Sequence, residues 1–149
     1  MTCRLATLAD VGLLASLNHQ LIQDESHTNQ LTLEQLSDRM TKWLQGEYRA
    51  VIFEAKEGVV AYALYCVGER AEGERFIFLR HFFVHRAQRR KGVGREALRL
   101  LLSEVFPPRA RVLLDVLYDN QGARDFWKKL GFKEHCLTLE LWPEQGRGE

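Results

Sequence analysis

The chain has 149 residues, and its 21 Lys and Arg against 20 Asp and Glu give a formal net charge of +1. This near-neutral balance gives no general attraction to nucleic acid or to a membrane surface, and no apolar run approaches the ~20 residues of a membrane span. The three cysteines, Cys3, Cys66 and Cys136, are isolated, so they predict neither a disulfide framework nor a metal site. We therefore expect a cytoplasmic protein without metal, nucleic-acid or membrane partners.

Hydrophobic periodicity divides the first half of the chain into a strand, two helices and a hairpin. Each helix begins with a capping-box pattern, Thr7 with Asp10 and Thr32 with Gln35. In chain order the expected elements are a strand at Cys3–Ala6, a helix with its apolar face between Val11 and Ile22, a helix with its apolar face between Leu33 and Leu44, and strands at Tyr48–Glu54 and Val59–Val67 joined by Lys56-Glu57-Gly58.

The second half predicts further strands that alternate with two helices. In chain order these are a strand at Arg75–His85, a helix from Val93 to Phe106, a strand at Arg111–Leu117, a helix at Asn120–Leu130 ended by Gly131, and a final strand or strand pair at Phe132–Trp142. The order β, α, α, β, β, β, α, β, α, β indicates an α+β fold with helices on both faces of one sheet. We expect a single domain over residues 1–142 and a polar tail at 143–149.

The turn between the strand Arg75–His85 and the following helix is the most informative segment. It reads Arg89-Arg90-Lys91-Gly92-Val93-Gly94-Arg95. A helix N-terminus has unpaired N–H groups and a partial positive charge, so it attracts anions. Gly92 and Gly94 leave no Cβ between the backbone and an approaching phosphate, and cations surround the turn. The segment therefore predicts a phosphate or pyrophosphate site. A P-loop nucleotide site is disfavoured because Gly94 is followed by Arg95-Glu96 rather than by Lys and Ser or Thr.

Two motifs in these elements resemble those of the GCN5-related N-acetyltransferase (GNAT) family. Arg89, Gly92 and Gly94 match its phosphate motif of Arg or Gln, two residues, Gly, one residue, and Gly or Ala. The second motif, with Asn, Ala, an aromatic pair and Leu-Gly-Phe, is matched by Asn120, Ala123, Phe126-Trp127 and Leu130-Gly131-Phe132. The resemblance implies a mostly antiparallel twisted sheet, splayed between the fourth and fifth strands and flanked by about four helices.

The resemblance also implies where acetyl-CoA binds. The backbone N–H of Phe82 would face the acetyl carbonyl and stabilise the oxyanion, and that of Val84 would face the pantetheine arm, which lies along the strand edge as an added strand would. The implied cofactor-binding residues are Phe82, Phe83, Val84, Arg89, Arg90, Lys91, Gly92, Val93, Gly94, Arg95, Asn120 and Trp127.

The general acid departs from the family pattern. Many members carry a Tyr at the position of Trp127, and an indole N–H cannot serve as an acid near neutral pH. Tyr118 is the candidate replacement. Alternatively, the thiolate leaves without help and takes its proton from water.

The general base is likewise open, because the two positions that relatives use on the long strand hold Phe78 and Arg80. His81 is adjacent, but strand alternation directs it to the opposite face unless a bulge intervenes. Asp24, Glu25 and His27 follow the first helix, where they form either a solvated helix end or an acidic acceptor site. In the second interpretation Glu25 acts as base or contacts a cationic amine.

We interpret the chain as an acetyl-CoA-dependent N-acetyltransferase that acts by direct transfer in a ternary complex. Its acceptor is a small-molecule amine or a protein amine, and a homodimer fits the exposed sheet edge. The alternative is a non-catalytic acyl-CoA-binding or regulatory module that has lost its acid and base, an interpretation motivated by Trp127, Phe78 and Arg80.

Overall fold

The computed structural model describes residues 1–25 and 30–144, and the chain divides into two units, Met1–Asp115 and Val116–Glu149. The first unit contains one five-stranded sheet in the order β1-β2-β3-β4-β5. Its strands are β1 (Thr2–Leu5), β2 (Tyr48–Ala55), β3 (Gly58–Glu69), β4 (Arg75–Val84) and β5 (Arg111–Leu113). The first four strands pair antiparallel, and β5 pairs parallel with β4. The predicted α+β class with a mostly antiparallel sheet is therefore confirmed.

The described part of the chain contains four α-helices: α1 (Val11–Glu25), α2 (Leu33–Gln45), α3 (Val93–Leu100) and α4 (Gln121–Lys129). Both predicted capping boxes are present, with Thr7 at a 3-10 turn that leads into α1 and Thr32 at the start of α2. Among the helices of residues 1–25 and 30–144, none is long and apolar enough to cross a membrane.

The main hydrophobic core lies between α1, α2 and one face of the sheet. Leu14, Leu17 and Leu21 of α1 and Met40 of α2 pack against side chains of the central strands, which are Ala50, Ile52, Tyr62, Leu64 and Phe83. Because side chains alternate along a strand, Tyr65 points to the opposite face, where its ring packs 4.9 Å from Phe106 after α3. Helices therefore cover both faces, as the element order predicted.

The helix after the glycine turn is shorter than predicted. α3 ends at Leu100 and continues as a π-helical turn, Leu101–Val105, whose wider spacing is closed by the bond from Phe106 N to Leu101 O at 2.7 Å. The wider turn accompanies the packing of Phe106 on Tyr65. Sequence periodicity cannot distinguish these two helical geometries over one turn.

The pairing between β4 and β5 is short. It joins Phe76–Phe78 to Arg111–Leu113, whereas β4 continues to Val84. The strand predicted at Arg111–Leu117 is therefore four residues shorter, and the ladder ends where the splay was predicted between the fourth and fifth strands. The C-terminal half of β4, which carries Phe82, pairs with β3 and lies beyond the end of the β4–β5 ladder.

The second unit contains α4 and an extended segment, and it corrects one prediction. The strand or strand pair expected at Phe132–Trp142 is absent from the described residues, which pair as five strands only. The alternating side chains of Leu137, Leu139 and Leu141 are 68%, 83% and 84% exposed. A period of two indicates an extended backbone, but a strand also needs a neighbour for its N–H and C=O groups, and the sequence pattern cannot supply one.

Candidate functional site

The turn that leads into α3 holds a backbone geometry suited to anions. After β4 the chain passes through a 3-10 turn, Arg86–Gln88, and then adopts left-handed conformations at Arg90 (φ 64°) and Gly92 (φ 77°). Gly92 is the N-cap of α3 and provides no side-chain hydrogen bond, unlike Thr32 at α2. The first N–H groups of an α-helix have no partner within the helix. They therefore remain available to an anion at this turn, which is compatible with the predicted phosphate site.

Arg89 has a role that the sequence did not indicate. Its guanidinium forms an ion pair with Asp24 at the end of α1, and its Nε donates to the carbonyl oxygen of Val84 at 3.0 Å. Arg86 pairs with the same carboxylate. Asp24 thus ties the turn to α1, and the Arg89 side chain is engaged in this tie. Three other cations of the turn, Arg90, Lys91 and Arg95, are exposed and have no carboxylate partner within the described residues.

The charge of Asp24 is stabilised by these two arginines. Burial alone would raise the pKa of the carboxyl, but the hydrogen bonds from Arg89 and Arg86 outweigh burial and hold the pKa below its usual value. The predicted acidic acceptor site therefore loses one of its carboxylates to an internal ion pair. His27, the third member of that predicted cluster, lies outside the described residues.

We expect Asp24→Asn to lower the free energy of unfolding at pH 7 by about 1–2 kcal/mol, toward the lower end for hydrogen bonds to charged groups because both arginines are exposed to solvent. A carboxyl whose pKa is lower when folded stabilises the protein above its unfolded pKa and loses that contribution as pH falls through the folded value. The deficit should therefore shrink below about pH 4. Urea unfolding between pH 3 and 7 measures it. Asp38→Asn, at an exposed position of α2, is the control. A deficit independent of pH, or none at pH 7, would contradict the assignment.

A bulge in β4 changes the expected orientation of His81. The register passes from Leu64 opposite His81 to Tyr65 opposite Leu79, so Arg80 is the extra residue. A bulge shifts the alternation of side chains. As a result Arg80 and His81 both contact Trp43 of α2: the Arg80 Cζ lies 5.1 Å from the indole centroid and the imidazole centroid lies 5.2 Å from it.

His81 is held neutral and hydrogen-bonded. Its Nδ1 lies 3.1 Å from the hydroxyl of Tyr62. Burial and the positive charges of Arg39 and Arg80 lower the pKa of His81 to about 3. An imidazole with so low a pKa is a weak base, so the geometry agrees with a structural role for this residue.

Glu25 has the opposite electrostatic character. It is the last residue of α1, and burial together with the adjacent charge of Asp24 raises the pKa of its carboxyl above the usual range. Its charge also acts on the hydroxyl of Tyr62 and raises the pKa of that hydroxyl. A carboxylate with a raised pKa is a better proton acceptor near neutral pH than an ordinary one.

Asn18 and Arg39 form a polar pair on the helix side of this region that the sequence analysis missed. Asn18 is 1% exposed, and its Oδ1 accepts from Nη2 of Arg39 at 3.0 Å. The signal was present: Asn18 lies between Leu14 and Leu21 on the buried stripe of α1, and Arg39 stands next to Met40 on α2. Polar residues on an apolar stripe are rarely fully buried without a function or a partner.

The three β4 residues predicted to bind the cofactor differ in their surroundings. Phe83 is 1% exposed in the core, so any role at the cofactor falls to its backbone. Phe82 and Val84 are half-buried and lie beyond the β4–β5 ladder. The structure thus brings together Val84, Arg89 and the glycine turn.

The remaining predicted residues belong to the second unit. Asn120 caps α4, with its Oδ1 accepting from the N–H of Ala123 at 3.1 Å. Trp127 packs edge-on against both Phe126 and Phe132, with centroids 4.9 and 5.1 Å away. Tyr118 is 70% exposed and lies under the guanidinium of Arg124. Within residues 1–25 and 30–144, no group of three or more His, Cys, Asp or Glu side chains is placed to hold a metal ion.

Comparisons with known proteins identify a family. The model of the Acetyltransferase (GNAT) family matches residues 18–132. A possible acetyltransferase from Clostridium difficile 630 has a similar structure, with a TM-score of 0.78 and 17% identity over 95% of this chain and 96% of that one. A predicted acetyltransferase from Clostridium acetobutylicum, solved with acetyl-CoA, has a TM-score of 0.72 and 21% sequence identity over 94% of each chain. A ribosomal-protein-alanine N-acetyltransferase from Brucella melitensis biovar Abortus 2308 has a TM-score of 0.73 and 14% sequence identity over 95% of this chain and 99% of that one. No curated protein sequence matches the chain.

Proposed function

This chain belongs to the Acetyltransferase (GNAT) family, and from that premise we propose that it is an acetyl-CoA-dependent N-acetyltransferase acting on a primary amine. The observation that carries the proposal is the glycine turn at α3. It combines a helix N-terminus without a side-chain cap with a left-handed glycine and exposed cations. The acetyl-CoA bound to the relative from Clostridium acetobutylicum supports the same cosubstrate here.

In this proposal the pyrophosphate of CoA binds the backbone of residues 92–95. The N–H groups of that helical turn donate to the phosphate oxygens, and Arg90, Lys91 and Arg95 supply positive charge around them. Arg89 acts as a brace that fixes the turn to Asp24 and to Val84. The pantetheine arm lies along β4 toward Phe82, past the point where the β5 ladder ends. The predicted contacts of Asn120 and Trp127 with the cofactor stay predictions from the family motif.

The transfer itself is a direct attack in a ternary complex. The amine nitrogen forms a bond to the thioester carbonyl carbon, and the Phe82 N–H stabilises the developing oxyanion. The carbon–sulfur bond then breaks, and the electron pair leaves on the CoA thiolate. The proton lost by the amine passes to Glu25, directly or through water, and Tyr118 or water protonates the thiolate. Glu25 fits the role of base because its pKa is raised, whereas Arg80 and His81 cannot fill it.

The alternative remains a non-catalytic module that binds acyl-CoA. Phe78 and Arg80 at the strand positions used by relatives, and the weakly basic His81 beside them, favour it. It shares the cofactor site with the enzyme and differs from it only in turnover.

An amine panel separates the two proposals. The protein is incubated with acetyl-CoA and amines of several classes, including a peptide N-terminus and lysine side chains, while free thiol and acetylated product are measured together. The enzyme predicts equimolar thiol and product that require both substrates. Tight acetyl-CoA binding without acetylated product from any amine would establish the module instead.

A further inference from the structure

Trp43 carries two cationic side chains on its indole ring. The Cζ of Arg39 lies 4.6 Å from the ring centroid and that of Arg80 lies 5.1 Å from it. Arg80 also donates to the hydroxyl of Tyr48 at 3.2 Å. The two guanidiniums, called here the arginine pair, therefore both contact one indole ring.

Within residues 1–25 and 30–144, the arginine pair has no carboxylate partner. Neither guanidinium lies within 4.0 Å of a carboxylate in the described part of the chain, although Arg4, Arg86 and Arg89 do. Of the residues outside that part, 26–29 contain no acidic residue and 145–149 contain Glu149. Burial and the neighbouring charge of Arg80 both disfavour the charged form of Arg39 and lower its pKa. Two adjacent cations without a counter-charge favour the binding of an anion.

Two further donors of Asn18 and Arg39 have no acceptor among the described residues. Because a guanidinium only donates, it fixes the Asn18 amide with its oxygen toward Arg39. The other amide atom, Nδ2 of Asn18, is near enough to the Tyr62 hydroxyl to act on its pKa, but neither Nδ2 nor the buried Nε of Arg39 completes a hydrogen bond in the described residues. Both unsatisfied groups are donors, and the Asn18 residue is only 1% exposed. Buried donors without acceptors are costly, and these two add to the positive potential of the region around Arg39.

The arginine pair is close to the reacting centre of the proposed enzyme. Arg80 precedes Phe82 by two residues on β4 and is the bulged residue, so the two lie at most about 7 Å apart along the strand. A ligand whose anionic group meets the arginine pair could thus place its amine near the thioester held at Phe82. An acceptor with its amine and its anionic group only a few bonds apart fits this spacing.

We propose that the acceptor is a small amino acid, whose carboxylate binds Arg39 and Arg80 beside Trp43 while its amine faces the thioester. The proposal rests on the proposed function and names its substrate class. It replaces the cationic amine expected from the sequence, because Asp24 is paired with Arg86 and Arg89 whereas the arginine pair is not neutralised. A planar carboxylate suits the fork of a guanidinium and accepts several hydrogen bonds at once.

Direct binding tests the proposal without turnover. Propionate is titrated into ¹⁵N-labelled protein saturated with CoA, and the arginine Nε–H resonances are followed, that of Arg39 being identified by its loss in Arg39→Gln. Propionate should shift this resonance and propionamide should not. Arg80→Gln, an exposed position with less effect on folding, should weaken propionate binding by about tenfold. The control Arg49→Gln, an exposed residue of β2, should bind as the unaltered protein does. No shift with propionate would overturn the proposal.

Turnover then identifies the substrate class. Common amino acids, β-alanine and 4-aminobutyrate are each compared with their own carboxamides and with putrescine. We expect kcat/KM for at least one amino acid to exceed that for its carboxamide by about tenfold or more, and Arg80→Gln to remove most of that preference. Equal rates with carboxamides, a preference for putrescine, or a preference for aminoalkylphosphonates over carboxylates would overturn it. If no amine is acetylated while propionate still binds at Arg39, the proposed function fails and the anion site stands.

Discussion

Replacing Gly92 by Asp is expected to weaken acetyl-CoA binding by about tenfold to a hundredfold, corresponding to about 1–3 kcal/mol of repulsion between a screened carboxylate and a pyrophosphate. Gly92 has a φ of 77°, and a Cβ built there meets no atom within 4 Å, so the added carboxylate projects into open space at the N-terminus of α3. Titration calorimetry with acetyl-CoA measures the change in Kd, and the KM for the amine should change much less.

Gly92→Asn is the matched control because it adds a side chain of the same size without a charge. Asn and Asp both tolerate the left-handed conformation better than other residues with a side chain. The two variants therefore share the backbone strain, and the difference between their Kd values isolates the charge. Equal Kd values for Asp and Asn at this position would show that the phosphate binds elsewhere.

Replacing Glu25 by Gln is expected to lower kcat by about a hundredfold, the lower range for loss of general base catalysis. The raised pKa of Glu25 also determines the pH profile. A base must be unprotonated, so the rate of the unaltered enzyme rises with pH through a value above that of an ordinary glutamate. This acid limb should disappear in Glu25→Gln.

The binding of acetyl-CoA should be unchanged in Glu25→Gln, because Glu25 is at the end of α1 and not in the glycine turn. Glu57→Gln, in the exposed loop between β2 and β3, controls for the loss of one negative charge. A kcat within twofold of the unaltered enzyme, by the ordinary precision of such kinetic comparisons, would exclude Glu25 as the base.

The sequence predicted those parts of the fold that depend on local chemistry. Capping boxes at Thr7 and Thr32, the hairpin turn at Lys56-Glu57-Gly58 and the glycine turn at Gly92 are confirmed, since each depends on residues within four positions of one another. The family resemblance then supplied the mostly antiparallel sheet and the splay between its fourth and fifth strands, which no local pattern contains.

Features that depend on distant contacts were not predictable. The bulge at Arg80 arises from the register between β3 and β4, and it alone brings Arg80 and His81 onto Trp43. The ion pairs of Asp24 join residues more than sixty positions apart. The segment Phe132–Trp142 has the alternation of a strand but no neighbouring strand in the described chain.

One part of the candidate site could be predicted from local sequence, and the other part depends on distant contacts. Its cofactor side follows from the motif around Gly92, whereas its acceptor side depends on how α1, α2 and β4 meet. Asn18 and Arg39 could have been recognised from the sequence as polar residues on apolar helix faces. Their partnership with Arg80 could not, because it passes through Trp43 and a bulged strand.

Calorimetric titration of the purified protein with acetyl-CoA is the most direct test of the CoA site at the glycine turn, with dephospho-CoA and ATP as comparison ligands. We expect one saturable site for acetyl-CoA per chain, with a Kd within the range of about 1 μM to 1 mM that is common for enzyme substrates. We also expect that ATP at equal concentration does not displace acetyl-CoA. Absence of acetyl-CoA binding, or displacement by ATP at equal concentration, would contradict the assignment of the glycine turn as the CoA site.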